Sequence, residues 1–218
     1  MANYDAVLFD LDGTLIDTAP DFIWVLNRLL EEEGKTALDD KTIRNQVSNG
    51  ARALVTLGFN LIEGEPGFEP LRDRLLELYL ANLSVRSGLF DGMESVLNEL
   101  DSRSIPWGIV TNKPSTYAIP LVRDLNLAER CASLVCPDHV TNRKPHAEPI
   151  VKACEEIGID PKNTLYVGDH IRDIECGSNA GSTTVGALYG YIETGIDPQS
   201  WSADHYIKHP SELHSLIE

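Results

Sequence analysis

The most restrictive stretch of the chain is Ala6–Asp17, AVLFDLDGTLID. Ala6, Val7, Leu8 and Phe9 form an unbroken apolar run, which reads as a short strand buried on both faces, as in a parallel sheet. The run stops abruptly in Asp10, Leu11, Asp12, Gly13 and Thr14. Carboxyl ends of strands in an open α/β sheet are where ligands bind, and buried charges have to be paired or bound to a cation. The expectation is that Asp10 and Asp12 hold a hard cation and do chemistry beside it. An Asp-Gly pair after a strand can also make only a tight turn, so the rest of the chain has to decide.

Downstream, Thr18-Ala19-Pro20-Asp21 looks like a helix start. Phe22, Val25, Leu26, Leu29 and Leu30 follow at spacings of three and four. Helical stretches are predicted over 39–47, 52–57 and 70–82, with a break at Asn49-Gly50 and a loop over 58–67. Nothing from 17 to 82 reads as a strand. Beyond it the pattern alternates: helix 91–104, strand 107–110, helix 117–125, strand 132–136, helix 145–157, strand 164–167 and helix 172–180. Strands over 183–188 and 203–207 and a short helix from Ser211 close the chain. Such alternation implies right-handed crossovers and an α/β fold with a doubly wound parallel sheet. The core is expected over 1–17 and 85–218, with a small all-helical cap over 18–84 inserted after the first strand.

Across 218 residues, 34 acidic side chains outnumber 18 basic ones, a formal charge of −16. Nucleic acid and anionic membrane both need a basic footprint, so neither is expected as a partner. A phosphorylated substrate would be repelled at long range, so its cleft must supply strong local positive charge. Cys131, Cys136, Cys154 and Cys176 show no C-x-x-C or zinc-site spacing and read as buried reduced thiols. No stretch approaches the length of a membrane span, and the first residues lack a basic, then apolar, leader. A cytoplasmic protein is expected.

Four sites fall at or just after strand ends: Asp10 with Asp12, Thr111, Lys144 and Asp169. Each alone has an ordinary reading as a turn, a surface lysine or a helix cap. In a parallel sheet, however, strand ends share one edge, so these side chains converge. Together, D-x-D-G-T, the hydroxyl of Thr111, Lys144 and the Gly168–Asp173 G-D-x-x-x-D run resemble the four motifs of the haloacid dehalogenase (HAD) superfamily, mostly Mg²⁺-dependent phosphatases. The resemblance covers the whole chain and implies a Rossmann-like core. It implies Mg²⁺ on the Asp10 carboxylate, the Asp12 backbone carbonyl and Asp169, with Asp173 behind them. By the same resemblance Asp10 attacks phosphorus, and Asp12 is the general acid and then base. Thr111 binds phosphoryl oxygens with the backbone of Gly13, Thr14 and Asn112, and Lys144 offsets charge. The acid at Asp12 favours phosphoryl transfer over dehalogenation, since the dehalogenases lack it.

In this family specificity comes from the cap, where Asn49, Gly50 and Arg52 are the expected substrate contacts. The subfamily resemblance is to phosphoglycolate phosphatase-like proteins, carried by Val135–Glu148 (VCPDHVTNRKPHAE), GDHIRDIE and Ala187–Ile192 (ALYGYI). Some of these act on N-acetylmuramic acid 6-phosphate. Both substrates are small phosphomonoesters carrying a carboxylate that Arg52 could meet, and the sequence does not choose between them. A sugar phosphomutase or a non-catalytic binding protein on the same scaffold are the competing readings. Nor does the sequence choose between monomer and homodimer.

Overall fold

A computed structural model describes residues 4–217. The strands of the six-stranded main sheet are β1 (Ala6–Phe9), β2 (Trp107–Val110), β3 (Ser133–Val135), β4 (Thr164–Gly168), β5 (Thr183–Ala187) and β6 (His205–Ile207). The main helices are α1 (Ala19–Glu32), α2 (Asp40–Arg44), α3 (Gly50–Phe59), α4 (Phe68–Ala81), α5 (Met93–Ser102), α6 (Ser115–Asp124), α7 (Glu148–Ile157), α8 (Ile171–Ala180) and α9 (His214–Ile217).

The described residues form two compact units. One is the segment through Ile16 with everything from Leu89 on; the other is Asp17–Gly88. In the first, the main sheet is parallel in the order β3-β2-β1-β4-β5-β6. β1 sits between β2 and β4, which is why Ala6–Phe9 carries no polar residue: all four are fully buried. Val7 registers with Trp107 on one side and Leu165 on the other. Chain order reverses around β1, and the crevice at such a switch point is the ligand-binding place of doubly wound sheets. One apolar cluster joins the sheet to α7 and α8 through Leu8, Val110, Val135, Ile150, Ala153, Cys154, Tyr166 and Cys176.

The second unit is helical. α1 buries Phe22, Val25, Leu26, Leu29 and Leu30, the stripe expected from their spacing, and Phe22 stacks on Tyr79 of α4 with ring centroids 4.0 Å apart. Asp21, fully buried in the first turn of α1, accepts from the backbone N–H of Arg86 (2.9 Å) and Ser87 (3.1 Å). That clasp is why Arg86 and Ser87 pack with the helices rather than with the sheet. A groove of about 980 Å³ runs along α1, lined by Trp24, Arg28, Lys35, Lys41, Arg44 and Arg86 among others.

Several element edges differ from the sequence reading. The helix predicted from Pro145 begins at Glu148, with Pro149 in its first turn, where its missing N–H costs nothing. The helix predicted over 91–104 starts only at Met93, since Gly92 before it takes φ +82°. The 39–47 helix ends at Arg44, and a separate turn, Val47–Asn49, precedes α3. Gly50 therefore opens α3 instead of separating two helices. Thr18 makes no side-chain cap on α1; Asp17 Oδ1 instead accepts from Ala19 N at 3.3 Å.

Candidate active site

The site is assembled at the carboxyl ends of β1, β2 and β4 together with the loop after β3. Asp10 directly follows β1, and its backbone N–H still bonds to Val167 O at 2.8 Å, so the sheet itself fixes the Cα position. Its Oδ1 accepts from Leu11 N (2.7 Å) and lies 2.8 Å from Lys144 Nζ. Both contacts fall on one oxygen, leaving Oδ2 the less engaged atom.

Lys144 is the hub of a buried charge cluster. Besides Asp10, its ammonium meets Asp173 Oδ1 (2.7 Å), Val110 O (3.0 Å) and Tyr166 Oη (3.1 Å). Asp173 is held from the other side by His170 N–H at 3.0 Å, within the first turn of α8. Asp169 Oδ2 accepts from Tyr191 N (2.7 Å), and Thr14 Oγ1 donates to its Oδ1 (3.3 Å). Asp10, Asp169 and Asp173 each offer an oxygen lying within 4.8 Å of the others.

Three carboxylates around one lysine leave surplus negative charge in a buried place, and the electrostatics reflect this. Burial, then the Asp173 carboxylate, push Asp10 up from 3.8 to about 6 against the pull of Lys144. Burial, then Asp10 and Asp173, hold Asp169 well above the usual carboxylate range. Burial alone would lower Lys144, but Asp10 and Asp173 outweigh it and keep the ammonium firmly protonated. An all-oxygen, net-negative, buried donor set of this kind fits a hard divalent cation.

Two glycines make the cluster sterically attainable. Gly13 has φ +86°, and a Cβ there would lie 2.2 Å from Asp169 Oδ2. At Gly190 a Cβ would lie 2.3 Å from Asp169 Cβ and 2.5 Å from Gly13 O. The loop after β5 thus closes on Asp169, and Tyr189 Oη donates to Thr14 O at 3.0 Å.

On the β2 side, Thr111 is buried and its Oγ accepts from Lys113 N at 3.0 Å, which leaves the hydroxyl proton to donate elsewhere. Asn112 Nδ2 donates to Lys144 O at 3.2 Å, tying this turn to the lysine loop. Lys113 Nζ reaches Asp12 Oδ1 at 2.8 Å.

Asp10, Asp12, Gly13, Thr14, Thr111, Asn112, Lys144, Asp169 and Asp173 are thereby linked by contacts within one unit. Asn49, Gly50 and Arg52 belong to the helical unit. There Arg52 Nε pairs with Glu63 at 3.0 Å, both side chains more than half exposed. His170 Nδ1 accepts from Arg172 N and His146 Nδ1 from Glu148 N, so both histidines serve as caps of turns. The sequence gives no site role to Lys113 or Tyr166, and reads the Tyr189–Tyr191 loop only as part of the subfamily resemblance. The signal for Tyr166 is a hydroxyl inside an otherwise apolar strand; that for Lys113 is a cation right after a strand-end Thr-Asn pair.

A doubly wound sheet with an Asp-x-Asp at the switch point, beside a buried lysine and further aspartates, defines an α/β protein with a built site for a hard cation and an anionic group. A family model described as haloacid dehalogenase-like hydrolase matches residues 7–187, and the chain belongs to that family. It is 47% identical over 213 residues to the N-acetylmuramic acid 6-phosphate phosphatase of Pseudomonas putida, covering 98% of this chain and 96% of that one. It is also 40% identical over 208 residues to a phosphoglycolate phosphatase of Xanthomonas campestris, covering 95% and 94%. The crystal structure of a haloacid dehalogenase-like family hydrolase from Streptococcus pneumoniae superposes with a TM-score of 0.82 at 22% identity, covering 100% and 99% of the two chains. With these relatives, the chain stands among the phosphatases of its family: it is a phosphoric monoester hydrolase.

Proposed function

We propose that the chain is an Mg²⁺-dependent phosphatase whose substrate is a phosphorylated sugar acid, N-acetylmuramic acid 6-phosphate. The observation that carries the chemistry is Asp10, held on Oδ1 by Lys144 and Leu11 N–H with Oδ2 available. Asp10 attacks phosphorus, the new Asp10 O–P bond forms, and the ester P–O bond breaks. The leaving oxygen takes a proton from Asp12, and Asp12 then accepts one from the water that hydrolyses the aspartyl-phosphate. Lys144 neutralises charge on Asp10, while the Thr111 hydroxyl and the backbone of Gly13, Thr14 and Asn112 bind the phosphoryl oxygens. Mg²⁺ would be held by Asp10, the Asp12 carbonyl and Asp169, supplying the positive charge that lets a carboxylate approach a phosphate dianion.

One observation favours the sugar acid over a two-carbon acid. The relatives named for it, 47% and 44% identical, stand above the phosphoglycolate phosphatase at 40%. The four unpaired cysteines agree with a cytoplasmic location. The test is phosphate release with Mg²⁺ from N-acetylmuramic acid 6-phosphate, phosphoglycolate and simple sugar phosphates, with Asp10→Asn as blank. The sugar acid is expected to lead in kcat/KM by about tenfold or more, some 1.4 kcal/mol of transition-state binding. A lead for phosphoglycolate would overturn the substrate, and no release from any ester would overturn the reaction. Steady turnover without a bisphosphate activator would exclude a mutase.

A further inference from the structure

Lys113 has no part in the reaction as written above, yet the structure makes a costly place for it. Its side chain is 6% exposed, and lysine is almost never buried so far unless paired. Holding it in one rotamer forfeits side-chain entropy. Its backbone N–H donates to Thr111 Oγ at 3.0 Å, so the turn that presents Thr111 also sets the root of the Lys113 side chain. The far end, Nζ, lies 2.8 Å from Asp12 Oδ1. Asp12 itself, at 18% exposure, is the more open member of the pair.

We propose that Lys113 is a positioning residue that fixes the rotamer of Asp12. With Oδ1 tethered to a rigid, buried ammonium, the direction in which Oδ2 is presented is set by the scaffold and not by a freely rotating χ1 and χ2. Proton transfer to a leaving oxygen is sensitive to that direction, because the proton has to pass along a hydrogen bond of ordinary length. The inference rests on the role given to Asp12 above.

A positioning role separates from phosphate binding by the leaving group. An alkoxide leaves slowly without a proton, whereas p-nitrophenolate leaves readily unprotonated. Single-turnover cleavage of an alkyl phosphate and of p-nitrophenyl phosphate is to be compared in wild type, Lys113→Met, Lys113→Arg and Asp12→Asn, with Mg²⁺ present. In Lys113→Met the alkyl ester is expected to slow about 30-fold and the nitrophenyl ester less than about threefold, a part of the 10²–10⁴ that an aligned acid supplies. Asp12→Asn should show the same asymmetry, larger. KM for both esters and inhibition by inorganic phosphate should hold steady, and Lys113→Arg, which keeps a cationic donor, should recover much of the alkyl rate. Equal losses on both esters, weakened phosphate inhibition, or full alkyl activity in Lys113→Met would each overturn the proposal. A wild type that cleaves neither ester would instead overturn the phosphatase reading itself. Should the methionine variant not fold, Lys113→Gln carries the test with the same readout: a selective loss on the alkyl ester is expected, and equal losses on both esters or weaker phosphate inhibition would overturn the proposal.

Discussion

Replacing Lys144 by methionine keeps the length of the stem and deletes the charge. In the wild type the ammonium touches Asp10 at 2.8 Å and Asp173 at 2.7 Å, and it is almost wholly buried. Without it, Asp10, Asp169 and Asp173, whose oxygens lie within 4.8 Å of one another, lose the ammonium that sits against Asp10 and Asp173. Removing one partner of a buried pair costs roughly 3–5 kcal/mol, a large share of a typical 5–15 kcal/mol total. The cost must depend on pH, and the sign follows from Asp10. Its titration in the folded protein lies at about 6, above the ordinary 3.8, chiefly through burial. A carboxyl raised in this way favours the folded state below the unfolded value, and that advantage is lost as pH rises through the folded one. The shift from 3.8 to about 6 amounts to about 3 kcal/mol lost over that window in the metal-free wild type. Deleting Lys144 removes a stabiliser of the ionised form and carries the window upward. Urea unfolding in a chelator is therefore expected to show Lys144→Met about 3–5 kcal/mol below wild type at pH 8, and less than half that at pH 5, where Asp10 carries a proton. Saturating Mg²⁺ should narrow the gap at pH 8. Equal deficits at pH 5 and pH 8, or a deficit under about 1 kcal/mol at pH 8, would refute the view that Lys144 is the counter-charge of this cluster.

Two further outcomes can be checked. Gly190→Ala places a Cβ 2.3 Å from Asp169 Cβ, so the loop after β5 must shift. A fall in Mg²⁺ affinity of about tenfold or more is expected by calorimetry, with the far-UV spectrum unchanged. Burial pushes the Cys131 thiol up to about 11 and the Cys136 and Cys176 thiols up to about 12, so none of the three should react with an aromatic disulfide at pH 8 until the protein is unfolded.

The residues that could be read from the sequence are those whose chemistry is tied to a strand end. Four apolar residues in a row announce β1, and β1 announces where Asp10 will stand, because a strand between two parallel neighbours has only one way out. The same holds for Thr111 after β2 and Asp169 after β4. Lys144 needed the family pattern, since it lies on an irregular loop between β3 and α7. What the sequence did not reveal depends on contacts between segments far apart in the chain. Lys113 reaches back 101 residues to Asp12, and Tyr191 reaches 22 residues to Asp169. No periodicity records such meetings. Helix edges depart from the apolar pattern where one residue overrides it, as at Gly92 and at Pro149. The contacts of Asn49, Gly50 and Arg52 with substrate remain a proposal that Arg52→Ala would test, by a KM change confined to the preferred ester.

The bond from Tyr191 to Asp169 is made by the peptide nitrogen and not by the phenol. Replacing the aromatic ring there leaves the donor in place, and among the common residues only proline would delete it. This chain therefore anchors one of its most exacting carboxylates to a part of the polymer that nearly every point mutation leaves untouched. The fragile position is its neighbour, Gly190, whose contribution is the absence of a side chain.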